Sequence, residues 1–584
     1  MQVKSFELSD PLLASLKGFA LANPSITLVP EEKVLFRKTD KSKIAVISGG
    51  GSGHEPTHAG FIGHGMLSGA VCGDIFASPS TKQILNAIKL VNENASGVLL
   101  VVKNYTGDVL HFGLAAERAR ALGIDCRVAV AGDDVAVGKE KGGLVGRRAL
   151  AGTVLVHKTV GAFAEQYSDK YGLDGTAKVA QIVNDNLVTI GSSLDHCKVP
   201  GRKFESELND NQMELGMGIH NEPGVQVLEP IPSTEELIEK HMLPKLLDPS
   251  DKDRHFVNFD KSDEVVLLVN NLGGVSNFMI SAIASQTTDL LQKDYNIKPV
   301  QTIAGTVMTA FNGNGFSITL LNASKASKEL SDEFSEVKSV FQLLNAFTDA
   351  PGWPQPNVKD SEAPSVNEDL LKDDVKVQAA GSYDFEHFSK LMKAGADQLI
   401  KSEPHITHLD TQVGDGDCGY TLVAGAKGIV ENLDKLSRDS LSQALAQISD
   451  YIESSMGGTS GGLYSILISG LSHGLIQVCE DANATVTPEN LGKAMEIGLD
   501  TLYKYTRARP GASTMIDALE PFVKTFASSK DFSKAVKAAD EGAQSTATVE
   551  AKFGRASYVS DSSKIPDPGA IGFVEFLKGV QSAL

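Results

Sequence analysis

Over residues 1–350, short and wholly apolar runs alternate with longer segments in which apolar residues recur at helical spacing. The short runs have the length of buried strands, and the longer segments have the length of helices. The runs form two series with a division somewhere in residues 185–260, which predicts an α/β domain of two subdomains whose sheets can be mixed. The clearest strand candidates are Lys43–Ser48, Gly97–Lys103, Arg127–Ala131, Glu264–Asn270, Val300–Ala304 and Phe316–Leu321.

Residues 351–382 break this pattern. From Pro351 to Lys376 the chain is rich in proline and charge and poor in apolar residues, a composition typical of an extended, solvated linker. Trp353, the one tryptophan of the sequence, stands at the start of this segment, and we expect it to pack against a domain edge.

Residues 383–584 carry almost no strand pattern. Segments of helical length and spacing follow one another, separated by Gly and Pro clusters, which predicts a second, all-α domain. These segments are Phe385–Ile400, Leu441–Ser455, Leu463–Leu475, Leu491–Tyr505 and Phe532–Gly542.

Composition and charge exclude two classes of protein. Hydrophobic residues make up 42% and charged residues 22%, so the chain is not disordered throughout. With 54 Lys and Arg against 73 Asp and Glu, the net charge of −19 argues against a general nucleic-acid binder. Phosphate ligands are still compatible with this charge, because backbone N–H groups and a metal can hold them.

We also expect a soluble, cytoplasmic protein with no membrane partner. The N-terminus has no signal-peptide pattern, and no apolar run approaches the ~20 residues of a membrane helix. The five cysteines are scattered and form no C-x-x-C pair, which fits free thiols in a reducing compartment.

Glycine is abundant, with 55 residues, and its first cluster, Ser48–Pro56, lies where a strand is predicted to end. Ligands of α/β sheets bind at the carboxyl ends of strands, and glycine lets them approach backbone N–H groups. The cluster lacks the third glycine of a dinucleotide fingerprint and is not a P-loop. His54 is either a solvated turn residue or a ligand-facing one, and its surroundings favour the second.

Two further clusters in the first domain leave alternatives open. Lys103 and Asp108 follow a predicted buried strand; they either pair with each other at the surface or supply a donor and an acceptor or general base to a polyol. His220 lies in the Gly-rich segment Glu214–Gly224, where a histidine is more often structural than catalytic.

Asp410, Asp415 and Asp417 form an acidic cluster at the start of the second domain. They are interleaved with glycines and converge only if the chain turns. Clustered carboxylates repel one another, so a hard cation is favoured over a solvated acidic loop. The spacing is not that of an EF-hand, whereas Mg²⁺ that carries nucleotide phosphates suits so few protein carboxylates.

Further clusters of the second domain suit phosphate. Ser454–Gly462 repeats Gly and Ser at a predicted helix start, where N–H and hydroxyl donors can hold phosphate oxygens; a flexible interhelical loop is the alternative. Arg507–Asp517, Gly554–Tyr558 and Pro566–Gly569 follow it. Arg555 could clamp a transferring phosphoryl group, and Pro566–Gly569 could form the rim of a nucleotide site.

In this order, and over nearly the whole chain, these motifs resemble those of single-chain, ATP-dependent dihydroxyacetone kinases of the eukaryotic type. The resemblance implies an α/β substrate domain (K) over residues 1–350, a linker over 351–382, and a helical-barrel nucleotide domain (L) over 383–584. The motifs that carry it are Gly49–Pro56, Asn104–Asp108, Gly218–Gly224, Asp410, Gly414–Gly419, Ser454–Gly462 and Gly554–Tyr558.

For the substrate, the resemblance implies that His220 adds an imidazole nitrogen to the ketone carbonyl of dihydroxyacetone, giving a covalent hemiaminal. Such a capture admits carbonyl compounds and rejects glycerol. His54 and Asp108 are the candidates for deprotonating the terminal hydroxyl. The residues implied to hold the substrate are Gly51, Ser52, Gly53, His54, Lys103 and Asp108.

For the nucleotide, the resemblance implies ATP with Mg²⁺ on Asp410, Asp415 and Asp417, and transfer by positioning and charge neutralisation. It also implies a homodimer in which the helical domain of one subunit serves the substrate domain of the other, a span within reach of a linker of ~25–30 residues. The implied ATP-binding residues are Gly416, Asp417, Cys418, Gly419, Thr459, Ser460, Thr514, Met515, Arg555, Asp567, Pro568 and Gly569.

The kinase, with glyceraldehyde as a second acceptor, is favoured over two alternatives. Some relatives of this architecture also cleave FAD to a cyclic flavin phosphate with Mn²⁺, which is compatible with this chain as a side activity. A regulatory paralogue would bind dihydroxyacetone or a partner without phosphorylating it. Such a paralogue can lose a metal carboxylate or the hemiaminal histidine, and this chain keeps all of them.

Overall fold

The computed structural model of the protein describes residues 8–142, 145–199, 208–354, 365–368, 377–479, 483–549 and 565–584. The chain forms two compact units, Met1–Ala363 and Pro364–Leu584. Most of the predicted linker, and Gly554–Tyr558 with Arg555, lie outside the described residues.

The first described sheet of unit 1 has six strands in the order β1-β2-β4-β3-β5-β6. Strands β4, β3, β5 and β6 run parallel, and β1 and β2 form an antiparallel pair at one edge. Because β3 and β5 are parallel neighbours, the segments that follow them emerge at the same edge of the sheet. The strands are β1 Ile26–Val29, β2 Val34–Arg37, β3 Ile44–Ser52, β4 Gly69–Ile75, β5 Gly97–Lys103 and β6 Cys126–Ala131.

The second described sheet of unit 1 also has six strands, in the order β11-β10-β12-β7-β8-β9. It is mixed, since β10 and β11 are parallel and the other neighbours are antiparallel. Strands β8 and β9 form a hairpin whose loop carries His220. The strands are β7 Leu187–Ser193, β8 Met213–Leu215, β9 Gln226–Leu228, β10 Val265–Asn271, β11 Gln301–Gly305 and β12 Gly315–Asn322.

The helices of unit 1 cover the sheets, and α5 packs against strands of both. Its apolar residues share one core with Leu99 and Val101 of the first sheet and Val266 and Leu268 of the second. Trp353 packs on the same core, as predicted. The helices are α1 Pro11–Ala22, α2 Thr81–Asn92, α3 Thr106–Ala121, α4 Lys139–Gly142, α5 Gly152–Asp185, α6 Thr234–Glu236, α7 Leu243–Leu247, α8 Asn277–Tyr295, α9 Ala323–Glu333 and α10 Val340–Leu344.

Unit 2 is a ring of helices in its described part. Each helix packs against the next, and the last packs against the first, so the ring closes around an apolar cavity of about 360 Å³. This is the helical barrel that the resemblance implied. The helices are α11 Phe385–Val413, α12 Cys418–Val430, α13 Leu441–Ser455, α14 Gly458–Val478, α15 Pro488–Tyr503, α16 Ile516–Ser529, α17 Phe532–Ser545 and α18 Pro568–Ala583.

Not one of the described helices combines the length and the hydropathy needed to cross a bilayer. All five cysteines are free thiols, and four of them are buried.

Candidate active site

The structure brings together two histidines that are far apart in sequence. His54 follows the carboxyl end of β3, and its Nε2 lies 3.0 Å from Nε2 of His220. The His54 side chain is fully buried, which excludes the solvated-turn alternative. Its Nδ1 lies 2.7 Å from the carbonyl oxygen of Thr309. A carbonyl only accepts, so Nδ1 of His54 carries the hydrogen of this bond.

Glu222 holds the other side of His220. One carboxylate oxygen lies 2.8 Å from Nδ1 of His220, and the other accepts the His220 backbone N–H at 2.9 Å. Burial opposes ionisation of Glu222, but its hydrogen bonds with His220 prevail and lower its pKa to about 2. Glu222 is therefore a carboxylate, and Nδ1 of His220 must donate to it.

These partners also fix the proton between the histidines. Burial and the nearby charge of Lys103 hold the pKa of His54 well below its ordinary value, so His54 is neutral and keeps its one hydrogen on Nδ1. The hydrogen between the two Nε2 atoms then belongs to His220. Nδ1 of His220 meanwhile donates to the carboxylate of Glu222.

Aromatic rings enclose the pair. Phe76 stacks on His54 at 5.0 Å between ring centroids, and Tyr105 meets His220 edge-on at 4.7 Å. The glycines of the first cluster allow this approach, since a Cβ at Gly53 (φ +101) would lie 2.7 Å from the Phe76 ring. A Cβ at Gly51 would lie 2.7 Å from the backbone N of Ala77. A side chain at either position would therefore point into the protein itself.

Ser52 is also engaged within the protein, because its hydroxyl donates to the carbonyl oxygen of Gly73 at 2.8 Å. A ligand would meet the Gly51–Gly53 segment through its backbone.

Lys103 and Asp108 are both buried, so a surface ion pair is excluded. The Lys103 ammonium and Oδ1 of Asp108 have no hydrogen-bond partner among the described residues. Burial lowers the pKa of Lys103 and raises that of Asp108, and the charge of each opposes the shift of the other. Asp108 also bonds to the Ser78 side chain. Buried polar groups without partners are costly, so a polar ligand that pairs with these atoms would be favoured here.

In unit 2 the three predicted metal ligands converge. Asp410 is buried in the last turn of α11, and Asp415 and Asp417 are exposed in the turn to α12. One oxygen of each lies within 4.8 Å of the others. Gly416, with φ +79, makes the turn that these carboxylates need in order to converge. An all-carboxylate donor set fits a hard cation such as Mg²⁺.

Asp567 adds a carboxylate near this cluster, and Asp517 lies near Asp567. Burial, together with the charges of Asp517 and Asp410, raises the pKa of Asp567 to about 7, although its bond from the Ala570 N–H opposes the shift. Asp517 accepts the backbone N–H groups of Gly511 and Thr514 at 2.6 and 2.9 Å, so it holds the loop that leads to α16.

The start of α14 has open space for a ligand. Gly457 caps the helix without a side-chain hydrogen bond, and a Cβ at Gly457, Gly458 or Gly462 would meet no atom within 4 Å. Thr459 is exposed and Ser460 half-buried beside them. Free N–H groups, hydroxyls and the positive end of a helix suit phosphate oxygens.

The other predicted nucleotide residues differ in their surroundings. A Cβ at Gly569 would lie 3.2 Å from Asp567 and 3.8 Å from Met515, so these residues are neighbours beside Thr514. Pro568 is buried as the first residue of α18, and Cys418, the first residue of α12, is half-buried. Gly419 instead faces α11, where a Cβ would lie 2.2 Å from Thr407 Oγ1.

No role was predicted for Phe76, Ser78, Tyr105, Glu222 or Asp517. Ser78 and Phe76 belong to the segment after β4, and that position at a strand end was the available signal. Glu222 stood within the quoted His220 motif, but its contact with Nδ1 depends on the fold of the hairpin loop.

Known proteins resemble both units. The Dak1 domain family matches residues 17–339, and the DAK2 domain family matches residues 412–582. Dihydroxyacetone kinase 1 of Saccharomyces cerevisiae is 78% identical over 584 residues, which cover 100% of both chains. The triokinase/FMN cyclase of Homo sapiens is 36% identical over 98% of this chain and 97% of its own.

Solved structures point to the same family as the sequence matches. The dihydroxyacetone kinase from C. freundii, in complex with AMP-PNP and Mg²⁺, has a TM-score of 0.66 at 30% identity and covers 100% of both chains. A dihydroxyacetone kinase operon co-activator, Dha-DhaQ, covers 59% of this chain at a TM-score of 0.51. An α/β unit with a cluster of buried polar side chains, followed by a helical ring with an acidic cluster, is the architecture of a two-domain kinase. This chain belongs to the dihydroxyacetone kinase family.

Proposed function

We propose that this chain is a kinase that transfers the γ-phosphate of ATP to dihydroxyacetone to give dihydroxyacetone phosphate, with glyceraldehyde as a second acceptor. The names of the full-length relatives support the reaction. The observation that carries the choice of substrate is the His54–His220–Glu222 chain, because a histidine so held is suited to capture a carbonyl.

The capture starts from the hydrogen on Nε2 of His220. This hydrogen passes to Nε2 of His54, and the freed lone pair of His220 attacks the carbonyl carbon. As the C–N bond forms, the electron pair of the C=O π bond moves to oxygen, which takes the proton back from His54. The product is a hemiaminal on a positively charged imidazole ring, and the Glu222 carboxylate neutralises that charge.

Lys103 and Asp108 act on the hydroxyls. The Lys103 ammonium donates to a substrate oxygen, and Asp108 accepts the proton of the hydroxyl that attacks the γ-phosphate. Burial raises the pKa of Asp108, which makes it a stronger base than an exposed carboxylate. His54 is the alternative base, and it is already used in the capture.

In unit 2, Asp410, Asp415 and Asp417 would hold Mg²⁺, which when bound neutralises charge on the nucleotide phosphates. The N–H groups at the start of α14 and the hydroxyls of Thr459 and Ser460 orient the phosphates. Arg555, outside the described residues, is proposed as a further cation for the transferring group.

A second activity is favoured by one relative. The triokinase/FMN cyclase of Homo sapiens supports FAD cleavage to a cyclic flavin phosphate as a side reaction of this chain. Turnover of FAD with Mn²⁺ tests it, and absence of cyclic product would exclude it. A purely regulatory role is disfavoured, because the co-activator Dha-DhaQ covers only 59% of this chain, whereas this chain also has the helical ring and its acidic cluster.

We also propose a cytoplasmic homodimer. The location rests on the free, mostly buried thiols, and the dimer rests on the family resemblance. Light scattering of the purified chain measures the oligomeric state, and a monomer would contradict the dimer.

The deciding experiment is a coupled assay for ADP release with dihydroxyacetone, glyceraldehyde and glycerol in parallel. We expect turnover with the two carbonyl compounds and none with glycerol, together with a covalent adduct of dihydroxyacetone by intact mass. Equal turnover of glycerol would contradict the role of His220.

A further inference from the structure

Unpartnered polar atoms gather deep in unit 1. Among the described residues, Nε2 of His58, Nδ1 of His157, Nζ of Lys103 and Oδ1 of Asp108 are buried and have no hydrogen-bond partner. Lys103 and Asp108 already belong to the proposed substrate site. His58 is only 4% exposed and has no role so far.

Ser48 fixes the hydrogen of His58. The Ser48 hydroxyl lies 2.7 Å from the carbonyl oxygen of Val101, 2.9 Å from Nδ1 of His58 and 3.1 Å from Nε2 of His157. Because a carbonyl only accepts, the single hydroxyl hydrogen goes to Val101, and both imidazoles must donate to Ser48. Burial and the charge of Lys103 hold the pKa of His58 well below its ordinary value, so the ring is neutral. Its Nε2 therefore carries a lone pair and is an acceptor.

This lone pair faces the space that Gly50 leaves open. A Cβ built at Gly50 would lie 3.5 Å from Nε2 of His58, 3.3 Å from Oδ2 of Asp108 and 3.5 Å from Cε of Lys103. The space is thus bordered by two acceptor atoms and by Cε of Lys103, the carbon that carries the ammonium. Oδ1 of Asp108 is the unpartnered oxygen, so Oδ2 makes the bond with Ser78, and the single hydrogen of a hydroxyl placed here is left for Nε2 of His58. The hydroxyl oxygen can accept from the Lys103 ammonium, whereas a carboxylate would face two acceptors and a methyl group would leave Nε2 of His58 unpaired.

We propose that His58, Lys103 and Asp108 form one hydroxyl-binding subsite at Gly50, in which Nε2 of His58 accepts a hydrogen bond from a terminal hydroxyl of the bound triose. The proposal rests on the proposed function, which supplies the triose and the roles of Lys103 and Asp108. It adds His58 as a residue that determines specificity for a hydroxyl at this position.

The test compares two ketones that differ by one hydroxyl. Calorimetry on the full chain without nucleotide gives dissociation constants for dihydroxyacetone and for hydroxyacetone. We expect His58→Phe to weaken the binding of dihydroxyacetone about tenfold and the binding of hydroxyacetone less. The ratio of the two dissociation constants, which measures the preference for the second hydroxyl, should therefore move towards one. Equal weakening of both ketones, or no weakening, would overturn the proposal.

Two conservative variants separate contact from packing. The amide oxygen of His58→Gln can reach the place of Nε2, whereas the amide of His58→Asn reaches only that of Nδ1 next to Ser48. We expect His58→Gln to recover much of the preference for dihydroxyacetone over hydroxyacetone, and His58→Asn to resemble His58→Phe. The reverse order would contradict the subsite.

His157→Phe is the matched control, because it removes the other imidazole on Ser48 and leaves the Gly50 space intact. We expect it to lower thermal stability and keep the preference, and an equal loss of preference here would contradict a specific role of His58. Wild-type chain that neither binds nor phosphorylates dihydroxyacetone would refute the proposed function itself. Wild-type chain that does both, with His58 variants of unchanged preference, would refute only the subsite.

Discussion

At the scale of single residues, the proposed chemistry of the site depends on charged side chains that specific hydrogen bonds keep in place. Glu222 is the clearest case, since its two carboxylate oxygens bond to Nδ1 and to the backbone N–H of His220. A neutral residue of the same shape would leave the positive ring of the hemiaminal without a counter-charge.

Replacing Glu222 by Gln should therefore remove most of the covalent adduct. We expect kcat/KM for dihydroxyacetone to fall about 100-fold, a loss typical for the supporting partner of a reactive side chain. Intact mass after mixing with dihydroxyacetone and steady-state kinetics measure the two effects. Full adduct in the variant would refute the counter-charge role.

The lowered pKa of Glu222 also predicts how the stability of the protein depends on pH. Its pKa is lowered from 4.5 to about 2, so its stabilising contribution is complete above pH 4.5 and is lost as the pH falls towards 2. The difference in unfolding free energy between the wild type and Glu222→Gln should shrink over that window. Acid denaturation of both proteins measures it, and a constant difference would contradict the depressed pKa.

The metal cluster has its own test. Asp415→Asn should lower Mg²⁺-dependent turnover with ATP about 100-fold and leave dihydroxyacetone binding in unit 1 intact. Asp434→Asn, an exposed carboxylate of the same unit, is the control and should behave as the wild type. Full activity of Asp415→Asn would show that the metal assignment is wrong.

At the scale of elements, apolar runs were reliable guides to strands. The run Gly97–Lys103 is β5 to the residue, and Glu264–Asn270 is shifted from β10 by one. The hairpin β8–β9 was not predicted, because its strands have three residues each and carry too little periodicity. The helices α12, α16 and α18 were missed as well. Glycines interrupt the apolar pattern of α12 and α18, and Pro521 lies inside α16.

The candidate site followed a different rule. Strand ends and acidic clusters are visible in sequence, so they pointed to His54 and the three aspartates, whereas the role of His220 was predicted only from the family resemblance. The partners that define their chemistry were not predictable: Thr309 is 255 residues from His54, and its carbonyl reaches the ring only in the folded chain. His58 was passed over for the same reason, since its state depends on Ser48 and Val101.

The first turns of α14 offer a prediction for an element. A Cβ at Gly462 would meet no atom within 4 Å, whereas a Cβ at Gly461 would lie 1.8 Å from the carbonyl oxygen of Met456. Gly462→Ala should therefore keep or slightly raise the melting temperature, since Ala favours helix by up to ~1 kcal/mol, while it raises the KM for ATP. Gly461→Ala should lower the melting temperature. An unchanged KM in Gly462→Ala would remove α14 from the phosphate site.

At the scale of the whole molecule, the two units have separate hydrophobic cores. Each proposed ligand has its residues in one unit, so each ligand should stabilise that unit alone. In differential scanning calorimetry we expect dihydroxyacetone to raise the transition of one unit and Mg²⁺ with AMP-PNP that of the other. Either ligand raising both transitions equally would contradict this assignment.

The closed ring of unit 2 has a consequence for how its chain could be rearranged. Helices α11 and α18 pack along each other, with Gly395 beside Gly579 and Gln398 bonded to Glu575, so they run in opposite directions. The last residues of α18 therefore return to the beginning of α11. In unit 2 taken alone, joining these ends through a short Gly-Ser segment and opening the chain between α14 and α15 would leave every helix beside its present neighbours and remove only the covalent connection between α14 and α15. The fold would then depend on the order of the helices around the ring and not on which helix comes first along the chain.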